Sequence, residues 1–310
     1  MAVPGGTYLV TRTTAMSMYL LTPSKVVNQI FEYCLAWAVR GRGILIHAVS
    51  VESNHFHAVL TDTEGRLSDF VQELDSCVAR CVLEYYRSIY PRRRLDALWS
   101  SAESFNATLL VTPAAVIDEV GYTLTNPVKD TLVHDYRKWP GFNTRPSDWR
   151  GRVRSVERPE FYFKHTDKEL AYQVVPPSQL LQGRDLEGVI ADVETHVRER
   201  QDQLVRTRNS EGRSFLGVKA ILKTDPLSSP STPRPVGNLN PQVAAGGDRE
   251  ALSLATKAVQ TFRIAYREAW ALFQRKAKAV FPGGTMLMRR RFGVECDPLD
   301  AKCWCQLADP

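Results

Sequence analysis

Over residues 7–135 the hydrophobic pattern switches between a period of two and a period near 3.6 residues. Residues Thr7–Thr14, TYLVTRTT, carry the β-branched and aromatic side chains of a strand. Thr22–Arg40 opens on a Thr-Pro pair and then repeats apolar residues at helical spacing. Gly43–Val51 and His55–Asp62 read as two strands joined by Glu52-Ser53-Asn54, a hairpin signal. In Leu67–Tyr90, apolar Phe70, Val71, Leu74, Cys77, Val78 and Cys81 mark one face of a long helix. Ala107–Val111 predicts a short strand, and Thr112-Pro113 starts a helix that Pro127 should stop. The order β-α-β-β-α-β-α implies an α+β layer fold, an antiparallel sheet with flanking helices.

Beyond this core the pattern loosens into a mostly helical C-terminal extension. Trp139 to Pro177 is aromatic and loop-like, and a charged helix is expected near Asp185–Arg208. Ser214–Asp225 predicts a short helix. Residues 224–247 are rich in Pro, Ser and Gly and read as a linker or arm. A last helix, about Arg249–Val280, carries an aromatic stripe of Phe262, Tyr266, Trp270 and Phe273, read as packing. Pro4–Arg12, PGGTYLVTR, returns as Pro282–Arg290, PGGTMLMRR, which suggests two turns that each feed an edge strand. The expected division is 1–140, 141–223, 224–247 and 248–310.

Composition narrows the setting. No run of about 18 apolar residues occurs, and the N-terminus lacks the form of a signal peptide, so a cytoplasmic protein is expected. The six cysteines of the 310-residue chain do not make a disulfide framework, and Cys296, Cys303 and Cys305 fit no common zinc knuckle. The net charge is +6. Residues 1–150 balance 15 Lys/Arg against 15 Asp/Glu, so the excess lies in residues 151–310, with 25 against 19. That bias favours a polyanionic partner such as nucleic acid.

Two motifs carry possible chemistry. In a strand, residues two apart point to one face, so His55 and His57 project together while Phe56 points into the core. Two histidines alone do not close a metal site. Tyr122 and Asn126, four apart on the helix before Pro127, share one face. A phenol with an ordinary pKa of about 10 is a poor nucleophile near neutrality until an adjacent charge or metal-bound phosphate favours its attack. Taken separately, each motif is also compatible with a plain structural role.

Together, Asn54-His55-Phe56-His57 and Tyr122-Thr-Leu-Thr-Asn126-Pro127-Val128 resemble the motifs of the single-tyrosine HUH transposases, above all the REP-associated tyrosine transposases. The resemblance covers about residues 5–140 and includes the order of the elements between the motifs. It implies an HUH endonuclease fold with a ferredoxin/RRM-like core. It also implies that His55, His57 and Asn126 bind Mg2+ or Mn2+, and that Tyr122 attacks a single-stranded DNA phosphodiester to leave a 5′-phosphotyrosine. The implied partner is single-stranded DNA with hairpin structure, bound by a monomer or homodimer. Candidate DNA contacts are Arg12, the Arg92-Arg93-Arg94 run, Lys129 and the Arg289-Arg290-Arg291 run. The chain departs from the family where Glu52-Ser53 replaces a common Met-Pro, and where the stretch around Leu98-Trp99 holds few basic residues. The alternative is a hairpin or single-stranded DNA-binding protein derived from such a transposase, without turnover.

Overall fold

The alternation that predicts the first strand also gives the sheet its two faces. The computed structural model describes residues 3–101, 105–232 and 242–298. Strands β1 (Gly6–Thr13), β2 (Ile44–Val51), β3 (His55–Asp62) and β4 (Asn106–Leu110) are joined through helices α1 (Lys25–Val39) and α2 (Leu67–Ile89). Helix α3 (Pro113–Lys129) follows β4. These four strands lie in the order β2-β3-β1-β4, each neighbouring pair antiparallel, as expected for an α+β layer fold. In the β1–β3 register Thr11 lies opposite His57 and Arg12 opposite Phe56. Since side chains alternate, Thr11, His55 and His57 face one way, and Arg12 and Phe56 the other. Phe56 packs its ring against Phe31 of α1, with centroids 5.3 Å apart, so its face meets the α1–α2 layer. α3 covers the histidine face, where it packs against β2 and β3.

Local capping follows the sequence. Ser24 Oγ accepts from the Val27 N–H at the start of α1, and Thr112 Oγ1 from the Ala115 N–H at the start of α3. Pro127 does not stop α3, which runs two residues further. Proline removes one N–H and crowds the preceding turn, yet the helix closes one more turn beyond it. The Asp130 N–H closes the turn on the Asn126 carbonyl at 2.8 Å.

The chain beyond residue 140 adds β5 (Val153–Glu157), β6 (Glu169–Gln173), α4 (Ser178–Leu181), α5 (Leu186–Ser210) and α6 (Val218–Ile221). After these come β7 (Val243–Ala244), α7 (Arg249–Gln274), β8 (Val280–Phe281), α8 (Met286–Phe292) and β9 (Glu295–Cys296). The stretch read as an aromatic loop therefore contains an antiparallel pair, β5–β6. Its aromatic residues close the β2 edge: the Trp139 and Trp149 indole N–H groups donate to the Val51 and His47 carbonyls at 2.8 and 2.9 Å. The β2 backbone is engaged too, with Val51 N–H on Phe142 O and Thr144 N–H on Val49 O. An edge covered in this way offers no template for strand addition.

Two further expectations change. The stretch 224–247 is not simply a spacer: the Tyr19 N–H bonds the Ser228 carbonyl, and β7 pairs in parallel with β4. Neither Pro-Gly-Gly run feeds an edge strand. β1 lies in the interior between β3 and β4, and the second run enters helix α8. The turn is shared, but TYLVTRT is rich in β-branched residues whereas MLMRRRF has none and is mostly Met, Leu and Arg, which favour helix. The aromatic stripe of α7 packs, as read. Tyr266 and Phe273 meet Phe281 at 5.5 and 6.0 Å between ring centroids, within a small second core. Cys303 and Cys305 lie outside the described residues.

Hydrophobic residues of α5 and α6, including Val189, Val193, Val197 and Ile221, belong to the same core as the sheet. α5 crosses α3 at Gly121, where a Cβ would stand 2.8 Å from His196 Cδ2. This close approach brings side chains of the extension against the back of α3. Among the described residues no helix is long and apolar enough to cross a membrane.

Candidate functional site

Four candidate residues meet at one end of the sheet. His55 and His57 are both buried, at 5% and 2% exposure, with ring centroids 5.0 Å apart and nearly perpendicular. The Tyr122 ring meets the His57 ring edge-on at 5.1 Å. Asn126, one turn further along α3, places Nδ2 2.7 Å from His55 Nε2. Pairs separated by 71 and 65 positions in the chain thus converge because β3 and α3 lie against each other.

Each ring is held from behind. His55 Nδ1 lies 2.8 Å from Asn54 Oδ1, so Nδ1 carries the proton and Nε2 presents its lone pair to the Asn126 amide. Thr11 Oγ1 lies 2.8 Å from His57 Nδ1, so coordination by His57 would use Nε2. The Asn126 Oδ1 atom is buried without a hydrogen-bond partner. Turning that amide would exchange Nδ2 for Oδ1 beside His55. The donor set, two imidazoles and an amide oxygen, could hold a divalent cation.

Two cations flank the half-buried tyrosine. Lys129 Nζ donates to the Tyr122 hydroxyl at 3.0 Å and sits 4.8 Å from its ring centre. Arg200 of α5 lies 5.4 Å from the same ring centre, and its Nε donates to Thr125 Oγ1 at 3.2 Å. A phosphate at the phenol oxygen would meet positive charge from both the α3 end and the extension. Arg200 was not legible as a site residue: it is one of several arginines in a charged helix, and only the crossing at Gly121 selects it.

The other basic candidates are spread over the molecule. Arg12 points to the opposite face, where its Nε pairs with Asp75 at 2.8 Å and its guanidinium lies over Trp99. Arg290 and Arg291 dock on α2 through Asp69 and Gln72, and Arg289 is exposed beside them. The structure does not bring these four arginines to the histidine face. Arg92, Arg93 and Arg94 lie on an exposed turn after α2, with Arg94 paired to Asp96.

Two acidic residues stand at the site that sequence reading did not select. Glu52, in the β2–β3 turn, is 2% exposed, and its Oε1 lies 3.9 Å from His55 Nε2. Glu52, His55 and Asp130 each offer a ligand atom within 4.8 Å of the others. Burial pushes the Glu52 carboxyl well above its ordinary range and the Asp130 charge acts in the same direction, while Asn126 and Lys129 oppose them. A cavity of about 390 Å³ opens beside Glu52 and Asp130, walled across from them by Leu216, Ile221, Thr224 and Pro230 of the extension.

Fold and site together define a class of protein: an α+β layer in which a strand-borne histidine pair faces a helix-borne tyrosine and asparagine. No protein-family model matches the chain, and no curated protein does. Among solved structures, the chain is similar to one described as a REP-associated tyrosine transposase bound to a REP hairpin. The identity is 21%, over 54% of this chain and 91% of that one, with a TM-score of 0.39. A likeness of that size decides nothing about the site, whose reading rests on its own geometry.

Proposed function

We propose that this protein is a metal-dependent, single-tyrosine endonuclease and strand transferase, a transposase-type enzyme acting on single-stranded DNA with hairpin structure. The observation that carries the reading is the meeting of His55 and His57 with Tyr122 and Asn126 on one buried face. Separately, each pair has an ordinary structural explanation. Their convergence around a cation-flanked phenol does not.

In this reading Tyr122 is the nucleophile, and His55, His57 and Asn126 hold Mg2+ or Mn2+. The bound cation would polarise the scissile phosphate and offset its charge. Tyr122 Oη attacks phosphorus, the bond from phosphorus to the 3′ oxygen breaks, and the phenol proton passes to solvent. The products are a 5′-phosphotyrosine and a strand ending in a 3′-hydroxyl. Because the phosphodiester bond is exchanged rather than hydrolysed, the reverse attack by a 3′-hydroxyl rejoins DNA without a nucleotide cofactor. Lys129 and Arg200 neutralise the phosphate as it approaches, a term worth most in a partly desolvated site. The exposed Arg92-Arg93-Arg94 turn supplies backbone contacts to a nearby strand.

Incubation with hairpin oligonucleotides and Mn2+ or Mg2+ tests the proposal. A covalent protein–DNA species is expected, and it should vanish in Tyr122→Phe and in chelator. Hairpin binding with no adduct in any metal would instead identify a binding protein.

A further inference from the structure

Around His55 Nε2 the donor set is richer in carboxylate than the histidine–asparagine arrangement that the motifs suggest. We infer that Glu52 and Asp130 are cation ligands, and that with His55 they make the divalent-cation site of this protein rich in carboxylate oxygen. The inference rests on the reading above for the site's purpose, but its evidence is separate.

Four observations carry it. The first is proximity: a nitrogen of His55 and one oxygen each from Glu52 and Asp130 lie within 4.8 Å of one another. Ligands on a common ion at about 2.0–2.2 Å are separated by distances of this order once they close on it. The second is Glu52 Oε1, which is buried in a residue of 2% exposure and has no hydrogen-bond partner. Natural proteins rarely leave such an oxygen without a reason. The third is Asn126 Oδ1, also buried and unpartnered beside the same His55 nitrogen. The fourth is the cavity that Glu52 and Asp130 line. An octahedral ion held by three or four protein atoms needs room for water or phosphate oxygens on its open side.

The local structure explains how these groups arrive together. Tyr122, Asn126 and Asp130 are spaced by four, so one stripe of α3 and its C-cap carries nucleophile, amide and carboxylate in succession. The stripe survives because α3 continues through Pro127. Glu52 is turned inward by the tight β2–β3 connection, where its own N–H bonds the His55 carbonyl at 2.8 Å. The extension then walls the cavity through Leu216 and Ile221. Residues far beyond the core fold therefore shape the open side of the site.

Calorimetric titration of the full chain with Mn2+, without DNA, is the test. The unaltered protein should bind Mn2+, and Glu52→Gln and Asp130→Asn should each weaken binding by about tenfold or more. Thermal unfolding without metal checks that each variant is folded. Asp130 is partly exposed and its variant is expected to fold even if Glu52→Gln does not. Tyr122→Phe should leave Mn2+ affinity unchanged. Mn2+ affinity indifferent to both carboxylate substitutions overturns the inference, and if the adduct still forms, the nucleophile reading stands. Carboxylate-dependent binding with no adduct on any hairpin supports the inference and removes the enzymatic reading instead.

Discussion

Acidifying the solution from pH 6.5 to 4 is expected to remove stability through one histidine that has no part in the proposed chemistry. His47 lies on β2 and is 1% exposed. Its Nδ1 is 2.8 Å from the Val175 carbonyl, which can only accept, so Nδ1 carries the proton. In the neutral ring Nε2 then accepts from the Thr61 hydroxyl at 2.7 Å. Adding a proton at Nε2 turns that acceptor into a donor and buries a charge. Burial lowers the His47 pKa from 6.5 to about 4, partly opposed by the bond to Val175. In the unfolded chain the ring protonates near 6.5, so between 6.5 and 4 the unfolded state binds the extra proton. The contribution is fully present above pH 6.5 and is lost as pH falls through 4. At about 1.4 kcal/mol per pH unit the loss is about 3 kcal/mol, a large share of the roughly 5–15 kcal/mol of a typical domain. Urea unfolding at pH 7, 5.5 and 4 measures it. His47→Gln cannot take up the proton, so its stability should fall less over this range, by about 3 kcal/mol. Identical pH dependence in the two proteins would mean that His47 does not hold this stability.

Other expectations follow from the packing around the tyrosine. Arg200→Ala should slow covalent adduct formation in single-turnover assays by about tenfold or more, the scale of one charge-assisted contact of about 1.5–3 kcal/mol. Mn2+ binding should be unaffected. Lys129→Ala should slow the same step and reduce the salt dependence of DNA binding, read from titrations at several ionic strengths. Gly121→Val inserts carbon where His196 stands 2.8 Å from the Cβ position. It should lower stability by about 1–3 kcal/mol in denaturant titrations and, by moving α5, reproduce part of the Arg200→Ala defect. An unshifted unfolding midpoint would mean that α5 does not bear on Gly121 in solution.

Most of the core fold was legible because period-two and period-3.6 stretches alternate cleanly through residue 130. The histidine pair was legible for the same reason, since strand alternation alone puts both rings on one face. Asp130 was hidden by Pro127: a helix expected to stop there has no next turn, so the third member of the stripe was cut off. Glu52 was hidden by its position in a hairpin turn, where an acidic residue ordinarily faces water. Its inward setting against His55, and against Asn126 and Asp130 at the end of α3, is a long-range contact that no local pattern encodes. Arg12 was drawn to the wrong face for a related reason. It follows Thr11 directly, and alternation sends the two side chains to opposite layers. The second Pro-Gly-Gly run shows that a turn motif fixes the turn and leaves the next element to the propensities that follow it.

The central claim is that Tyr122 bonds covalently to DNA within the site formed by His55, His57 and Asn126. It is tested most directly by denaturing electrophoresis of the protein with labelled single-stranded hairpins in Mn2+. A labelled protein band is expected, with the label mapping to a peptide containing Tyr122, and no such band in Tyr122→Phe at unchanged thermal stability. A labelled band that persists in Tyr122→Phe would contradict it.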